Sequence, residues 1–236
     1  MTQAIFYEDA YRKNLRATVT AVDGDCIELD RTIFYSAGGG QPGDTGVFVS
    51  TDEHSFSVIE TRKGASPGSI VHRLDTDDHD IQVGDVLVTE LDWERRYHLM
   101  KMHTGMHLLG SLVPVGVTGG AVGIKKSRLD FDLGEHQVDK DKLNEELQAL
   151  VGGAHEIEIG SITEKELDES PELVRTMSVQ PPRGAGTVRM VRIRDVDYQP
   201  CGGTHVANTN EIGALRVSKI ENKGKRNRRF HLVIDD

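Results

Sequence analysis

Residues 92–113 read DWERRYHLMKMHTGMHLLGSLV and predict a helix. Asp92 is a residue type that caps helix N-termini, and the apolar side chains of Trp93, Tyr97 and Met100 recur at near-helical spacing. The pattern before this point differs, because the residues ahead of Asp92 alternate as strands do. The stretch therefore divides a β-rich N-terminal part from a mixed C-terminal part.

The same stretch contains the first half of a candidate metal site. His103 and His107 are four residues apart, so both imidazoles lie on one face of the helix. A second motif, Cys201-Gly-Gly-Thr-His205, follows Pro200 about a hundred residues later and predicts a tight loop. One thiolate and three imidazoles suit Zn(II), which favours a tetrahedral set of nitrogen and sulfur ligands. We expect one zinc ion per chain at these four residues.

Less specific interpretations of these residues exist. A helical histidine pair alone is more often part of a surface or a core. The chain has two cysteines, Cys26 and Cys201, and a cysteine beside a histidine in a glycine-rich loop is a more plausible ligand than disulfide partner. The sequence contains neither HExxH nor PCxxC, which excludes a metalloprotease helix and a nucleobase-deaminase site.

Length and charge limit the classes of protein to which this chain can belong. The 236 residues suffice for one large domain or two modest ones. The N-terminus lacks a basic segment followed by a long apolar one, and no window approaches a membrane span, so we expect a cytoplasmic protein. Two cysteines agree with a reducing compartment. The net charge of −10 argues against a polyanionic partner unless the charge is unevenly distributed.

The first ninety residues predict a small β-barrel-like, glycine-rich domain at 1–90. Residues 16–22 alternate, a turn follows at Asp23-Gly24-Asp25, and residues 26–35 alternate again, which is a hairpin pattern. Further strands are expected at 56–60, 69–73 and 85–91.

Residues 91–236 mix helices with strands and predict an α+β sandwich, an antiparallel sheet with helices. Besides the first helix, we expect an amphipathic helix over 139–151 and a short helical segment over 164–170. Expected strands are 127–133, 155–163, 187–193 and 230–234. The fold class predicted for the whole chain is α+β.

A glycine-rich loop follows the strand that ends at Tyr35. It holds five glycines in the nine residues from Gly38 to Gly46, and such a loop loses much backbone freedom on folding. One interpretation is that its amides and the Gln41 side chain touch a substrate; the other is a flexible β-turn. The loop matches neither a P-loop nor a dinucleotide-binding fingerprint.

A basic segment near the C-terminus reverses the sign of the chain's charge locally. It carries six cations within eleven residues and can neutralise several phosphates, although basic runs are often solvated hairpin loops. The predicted nucleic-acid-binding residues are Lys219, Lys223, Lys225, Arg226, Arg228 and Arg229.

The combination of HTGMH, PCGGTH, the upstream GGGQPxDTG-like segment and the downstream basic segment resembles the AlaX family of free-standing alanyl-tRNA editing proteins. The four motifs occur in the family's order and at its spacing, and the N-terminal glycine-rich part resembles the medium-length type. The family is similar to the editing domain of alanyl-tRNA synthetase. The resemblance implies a zinc-dependent hydrolase that removes serine, and glycine, from wrongly charged alanine tRNA.

The resemblance also implies roles for residues of this chain. It makes His103, His107, Cys201 and His205 the zinc ligands, and it places Gly38, Gly39, Gly40 and Gln41 beside the aminoacyl group. Thr118 is the candidate for a pocket threonine that contacts the serine hydroxyl. Gln41 and Cys201 are the candidate catalytic residues, and Cys201 is a metal ligand in the same interpretation. The Tyr35-Ser-Ala-Gly38 segment departs from the family's usual Tyr-Pro, which affects the stiffness of the loop.

The sequence leaves several roles for the metal open. It could activate a water, polarise the carbonyl or hold the substrate, and four protein ligands favour substrate positioning or a five-coordinate state. A different class of function is a non-catalytic, zinc-stabilised RNA-binding module. A hydrolase for another mischarged tRNA is a further alternative, because threonyl-tRNA synthetase carries a related editing domain.

Overall fold

The computed structural model divides the chain into two compact units, Met1–His98 and Leu99–Asp236. It describes residues 1–235 except 178–180, 182 and 185. Within these described residues, no helix combines the length and the apolar character that a membrane crossing requires. The division into independent domains at 1–90 and 91–236 stays a prediction.

The first unit contains a closed six-stranded barrel with the strand order β2-β3-β7-β6-β5-β8. Two further short strands, β1 and β4, pair in parallel outside the barrel, and a 3-10 helix covers Ile5–Tyr7. In chain order the strands are β1 (Gln3–Ala4), β2 (Asn14–Asp23), β3 (Cys26–Leu29), β4 (Arg31–Thr32), β5 (Gly46–Val49), β6 (Ser55–Lys63), β7 (Ile70–Leu74) and β8 (Val86–Leu91).

The barrel follows from alternation along its strands. Inward-facing residues such as Ile27, Leu29 and Leu74 are fully buried, while their neighbours along each strand face outwards. The predicted hairpin is confirmed, since Asp23 pairs with Cys26 and Gly24 adopts a positive φ in the two-residue turn. Closure of the sheet removes its open edges.

His72 is a titratable group inside this barrel. Its side chain is fully buried, with Nε2 2.8 Å from Thr32 Oγ1 and Nδ1 3.1 Å from the Ile27 carbonyl oxygen. Burial lowers the pKa of His72 to about 4, because the charged imidazolium is poorly solvated there. His72 is therefore neutral in the folded protein over the physiological range.

The second unit contains two antiparallel sheets with helices. A four-stranded sheet has the order β14-β15-β10-β9, and a three-stranded sheet has the order β11-β12-β13. The elements are α1 (Trp93–Leu112), which contains the boundary between the units, β9 (Val117–Ala121), β10 (Ser127–Asp132), α2 (Lys140–Gly152), β11 (Ile157–Thr163), α3 (Glu164–Glu169), β12 (Thr187–Ile193), β13 (Asp197–Pro200), β14 (Ala214–Asn222) and β15 (Asn227–Asp235).

Helix α1 packs closely on the four-stranded sheet at two glycines. A Cβ atom on Gly105 of the helix would lie 2.8 Å from Leu215 Cδ2 on β14. A Cβ atom on Gly120 of β9 would lie 3.1 Å from Met106 Cε on the helix. Both glycines therefore let the helix approach the sheet more closely than a larger residue would allow, which fixes the position of the helix.

The α+β class is confirmed, and the helices lie where the sequence predicts them. Asp92 caps α1, because its Oδ1 accepts a hydrogen bond of 3.2 Å from the backbone N–H of Arg95. In the first unit the pattern did not predict β1 or β5, and in the second unit it did not predict β9, β13 or β14. The glycines of β9 and the charged residues of β14 obscure the alternating pattern of a strand, and β13, with four residues, is too short to show one.

We predict that His72 makes the stability of the barrel depend on pH. An unfolded histidine has a pKa near 6.5, so below that pH the unfolded chain binds a proton that the folded chain excludes down to about pH 4. The contribution of His72 to the free energy of unfolding should be highest above pH 6.5 and fall by at most about 3 kcal/mol towards pH 4. Urea unfolding of wild type and His72→Gln across this range measures the difference.

The control for this experiment is His54→Gln, since the side chain of His54 is 65% exposed. The His72→Gln variant should lose part of the pH dependence, and the His54→Gln variant should keep it. Equal pH dependence in wild type and His72→Gln would show that His72 does not contribute.

Candidate metal centre

Four side chains of the second unit converge on one point. The candidate ligand atoms of His103, His107, Cys201 and His205 all lie within 4.8 Å of one another. Helix α1 supplies the first two, and the loop after β13 supplies the other two. The three histidines are buried and the cysteine is half-buried. The structure thus brings together the four residues that the two motifs predict.

The separations of the donor atoms fit a single ion. Cys201 Sγ lies 3.6 Å from His103 Nε2 and 3.3 Å from His205 Nε2. Sulfur and nitrogen ligands on a tetrahedral zinc, with ordinary bond lengths, would lie about 3.6 Å apart. The cluster can therefore hold a metal ion without large movements of these side chains.

The charges inside the cluster are strongly coupled. Burial raises the pKa of Cys201, but the imidazoles of His103, His205 and His107 outweigh it and lower the pKa well below the usual value. Burial lowers the pKa of His205 to about 3, with the charge on His103 adding to the effect. Burial lowers the pKa of His107, but Cys201 and Asp197 outweigh it and raise the pKa to about 9. The cluster thus favours a thiolate beside a neutral His205, and a metal would displace the proton of His107.

Hydrogen bonds hold the cysteine loop in place. The Nη1 atom of Arg189 donates to the carbonyl oxygens of Cys201, at 2.6 Å, and Gly203, at 3.1 Å. The backbone N–H of Gly203 donates to Cys201 Sγ over 3.4 Å. Arg189 is on β12, so the neighbouring strand fixes the loop that presents Cys201 and His205.

Two of the candidate ligand histidines are oriented by polar neighbours that the motif analysis did not identify. Thr104 Oγ1 lies 3.1 Å from His205 Nδ1 and also accepts a bond from the Val206 N–H. Asp197 Oδ2 lies 3.1 Å from His107 Nδ1. With Nδ1 engaged in both rings, Nε2 faces the cluster. Their positions in the sequence could have indicated these two residues. Thr104 lies inside the first motif, and Asp197 lies four residues before Cys201.

The glycine-rich loop lies in the first unit and forms a defined turn. Gly38 and Gln41 exchange two backbone hydrogen bonds, of 3.1 and 2.9 Å, across Gly39 and Gly40. Both central glycines have positive φ, as a type I′ turn requires. The Gln41 side chain is buried rather than displayed on the surface.

Close backbone approaches explain two other glycines of this loop. A Cβ atom on Gly43 would lie 1.9 Å from the Thr61 carbonyl oxygen, and one on Gly46 would lie 2.1 Å from that of Glu90. Glycine is therefore required at both positions for packing. The β-turn of the alternative interpretation is present at residues 38–41, and the close approaches at Gly43 and Gly46 restrain the rest of the loop.

A buried ion pair also anchors the loop. Asp44 and Arg96 are both buried, and Asp44 Oδ2 accepts hydrogen bonds from Nε and Nη2 of Arg96 and from the Tyr35 N–H. The same guanidinium donates to the carbonyl oxygens of Ala10, at 2.9 Å, and Ile33, at 2.6 Å. Charged hydrogen bonds of this kind compensate the cost of burying both groups.

The predicted basic residues lie on the hairpin formed by β14 and β15, and carboxylates pair with several of them. Asp130 binds Arg229 through both oxygens, at 2.7 and 2.8 Å, and Asp132 binds Arg226 at 2.8 and 3.1 Å. Glu221 pairs with two lysines, and Arg228 donates to carbonyl groups of the turn. The cations of this hairpin are Lys219, Lys223, Lys225, Arg226, Arg228 and Arg229.

Thr118 is on β9 of the second unit. Its hydroxyl donates a hydrogen bond of 2.9 Å to the Asn227 side-chain oxygen at the start of β15. Its predicted contact with a substrate stays a prediction, as do the predicted substrate contacts of Gly38, Gly39, Gly40 and Gln41.

Comparisons with known proteins give the class of this chain. Residues 188–231 match the family described as the threonyl and alanyl tRNA synthetase second additional domain, and residues 2–95 match the class II (A) tRNA synthetases. The first match contains β13, the cysteine loop and the basic hairpin. The fold and the His/Cys cluster thus define a protein related to the domains that accompany these synthetases.

Full-length relatives narrow this class. The chain is 35% identical to the alanyl-tRNA editing protein AlaX-M of Methanosarcina barkeri, and 31% identical to that of Saccharolobus solfataricus, over 99% or more of each chain. It is also 33% identical to the alanine–tRNA ligase of Sulfurisphaera tokodaii, where 93% of the chain covers 25% of the ligase. The chain belongs to the family of the alanyl-tRNA editing proteins.

We predict that two glycines of the loop respond differently to substitution. Gly43→Ala should destabilise the first unit by about 2 kcal/mol or more, because the new methyl group overlaps the Thr61 carbonyl. Gly38→Ala should change stability little, because its Cβ would lie 3.6 Å from the nearest atom, an ordinary contact. Urea unfolding of both variants measures this, and equal losses would contradict the steric explanation.

Proposed function

We propose that this protein is a trans-editing hydrolase that deacylates alanine tRNA mischarged with serine, and with glycine. The observation that carries the proposal is the identity of 31–35% over nearly full length to proteins named alanyl-tRNA editing proteins. The convergent His/Cys cluster adds the chemistry, because one sulfur and three nitrogen donors favour zinc over harder cations. We assign one zinc ion to His103, His107, Cys201 and His205.

The reaction breaks the ester between the amino acid and the terminal ribose of the tRNA. Hydrolysis requires a positioned water and donors for the oxyanion that forms on the carbonyl oxygen. Bound zinc would supply Lewis acidity or hold the amino or hydroxyl group of the substrate. Four protein donors already complete a tetrahedral set, so a role in positioning the substrate fits better than a permanently open water site.

The chain's own groups supply the remaining requirements in this proposal. The fixed type I′ turn at Gly39 and Gly40 presents backbone without side chains, so an aminoacyl group can approach it closely. Gln41 and Cys201 are the candidate catalytic side chains. The backbone N–H groups of Gly39 and Gly40 in the glycine-rich loop, or of Gly202, are candidate oxyanion donors. Those of Gly38, Gln41 and Gly203 already donate to other groups.

Discrimination between serine and alanine rests on one hydroxyl group. A pocket that hydrogen-bonds this hydroxyl leaves its own polar group unpaired when alanine binds, which spares the correct product. We assign this role to Thr118. Because the Thr118 hydroxyl donates to Asn227, an incoming serine hydroxyl would donate to the Thr118 oxygen.

The basic hairpin is the proposed tRNA-binding surface. Three carboxylates, those of Asp130, Asp132 and Glu221, pair with several of its six cations and with the adjacent Arg128. Together these ten groups carry a charge of +4 in a chain of net charge −10. The carboxylates hold the arginines in position, and the remaining charge attracts phosphate.

A second candidate function is a non-catalytic RNA-binding module with a structural zinc. The observation that favours it is the complete set of four protein donors, which is typical of structural zinc sites. In that case loss of zinc would unfold the second unit, and no ester would be hydrolysed.

Single-turnover deacylation separates the two functions. Alanine tRNA charged with serine, glycine or alanine is mixed with excess wild-type protein, with Cys201→Ala or with Cys26→Ala. We expect wild type and Cys26→Ala to hydrolyse the seryl ester and spare the alanyl ester, and Cys201→Ala to lose at least about 100-fold in rate. Cys26 is the matched control, because it is also half-buried but lies in the barrel.

The tRNA affinity of each variant is measured in parallel. Tight binding of seryl-tRNA by wild type without hydrolysis would establish the binding module instead. Thr118→Val tests specificity separately, and it should slow hydrolysis of the seryl ester more than that of the glycyl ester, which has no side-chain hydroxyl.

The hairpin assignment predicts a change in salt dependence. For Lys223→Gln/Lys225→Gln, log affinity for tRNA against log salt should flatten by about 1.5, since each lost phosphate contact removes roughly 0.7–0.9 from the slope. Lys165→Gln on α3 is the control, with a lysine side chain that is 84% exposed. An unchanged slope in the double variant would place the tRNA contacts elsewhere.

A further inference from the structure

We propose that Asp197, held by Arg175 and Gln199, is a positioning residue that fixes the orientation and tautomer of His107 and thereby sets the metal affinity of the cluster. The inference rests on the proposed metal binding by the four ligands. It assigns a role to three side chains around the cluster that the ligand motifs do not include.

Strand β13 presents these groups by simple alternation. Successive side chains of a strand point to opposite faces, so Asp197 and Gln199 share one face of β13. That face is directed at His107, because Asp197 Oδ2 and Gln199 Nε2 each lie 3.1 Å from His107 Nδ1. The short strand therefore presents two residues that contact one proposed ligand, and the loop directly after it presents another, Cys201.

The carboxylate decides which nitrogen of His107 carries the proton. An ionised carboxylate only accepts hydrogen bonds, so Nδ1 must be the protonated nitrogen where it meets Asp197. The lone pair of the neutral ring is then on Nε2, which faces the cluster. The ion pair that Asp197 forms with Arg175 favours the ionised form of this carboxylate.

Asp197 is itself held firmly. Its side chain is fully buried, and its Oδ2 accepts a hydrogen bond of 2.6 Å from Gln199 Nε2. Its Oδ1 lies 3.2 Å from Arg175 Nε in an ion pair. Such a group cannot turn away from His107 without leaving a buried charge without its partners, which is costly.

Arg175 also links this carboxylate to the helix of the ligand it orients. Its Nη1 donates a hydrogen bond of 3.0 Å to the Gly110 carbonyl oxygen, one turn beyond His107 on α1. Arg175 thus connects β13 to α1 independently of any metal. The site is held in its binding geometry from both sides before an ion arrives, which reduces the cost of binding.

The other oriented histidine provides an internal comparison. His205 Nδ1 meets the hydroxyl of Thr104, a neutral group, whereas His107 Nδ1 meets a carboxylate. A carboxylate partner increases the basicity of the ring more than a hydroxyl does. We therefore expect the metal affinity to depend more on Asp197 than on Thr104.

Zinc affinity, measured with zinc alone in competition with a chromophoric chelator, tests this inference without tRNA. We expect Asp197→Asn to bind zinc 10- to 100-fold more weakly than wild type. Thr104→Val should lose less, and Arg175→Met should lose several-fold with Asp197 still in place. Asp130→Asn is the matched control, because it removes another carboxylate that pairs with an arginine in the second unit, and its zinc affinity should equal that of wild type.

The outcomes separate the inference from the proposals on which it rests. Wild type that binds no zinc would refute the metal assignment itself, whatever the variants do. Wild-type affinity in Asp197→Asn, or equal losses in Asp197→Asn and Asp130→Asn, would overturn the positioning role. If Asp197→Asn does not fold, the zinc affinity of Arg175→Met tests the inference instead. An affinity of Arg175→Met equal to that of wild type would refute it. Hydrolysis of seryl-tRNA by wild type, assayed separately, tests the proposed function alone.

Discussion

Four electron-pair donors packed within 4.8 Å of one another are the constraint on which the second unit depends. Burial limits their access to water, so the thiolate of Cys201 depends on the neighbouring imidazoles for its stability. The arrangement exists because helix α1 and the loop after β13 are held by other contacts. Gly105 and Gly120 let the helix approach the sheet, and Arg189 fixes the loop through its carbonyl groups. The fold thus imposes the convergence of these four donors, and a bound ion would compensate its cost.

The first unit also buries polar groups together, in this case as an ion pair. Arg96 and Asp44 are buried together, and breaking such a pair by removing one partner costs about 3–5 kcal/mol, although the intact pair adds little net stability. The ion pair instead fixes the positions of neighbouring segments, since the guanidinium also binds the carbonyl oxygens of Ala10 and Ile33. Three separate segments of the chain therefore meet at one side chain, and the glycine-rich turn has a fixed base.

The four candidate ligands could be predicted from the sequence because their spacing is local. His103 and His107 share a helix face, and Cys201 and His205 share one loop, so each pair is defined within five residues. Their convergence was inferred from chemistry and is confirmed by the geometry. Asp197, Thr104 and Arg175 were not predicted, because their roles depend on strand register and on a contact with Gly110 far along the chain. The same reason hid the carboxylates of the basic hairpin, since Asp130 and Asp132 meet their arginines only across β10 and β15.

Those carboxylates change how the charge of this protein should act on a polyanion. The chain as a whole carries −10, which would repel tRNA at long range, yet ions at physiological strength screen charges beyond about 8 Å. A phosphate that reaches the hairpin is affected mainly by the local charge of +4. Association should therefore gain little from long-range steering and more from contacts made on arrival. Arginines already held by carboxylates lose less side-chain entropy on binding than free arginines do. Their pairing with carboxylates lowers the total positive charge of the hairpin but favours a defined geometry of contact with phosphate.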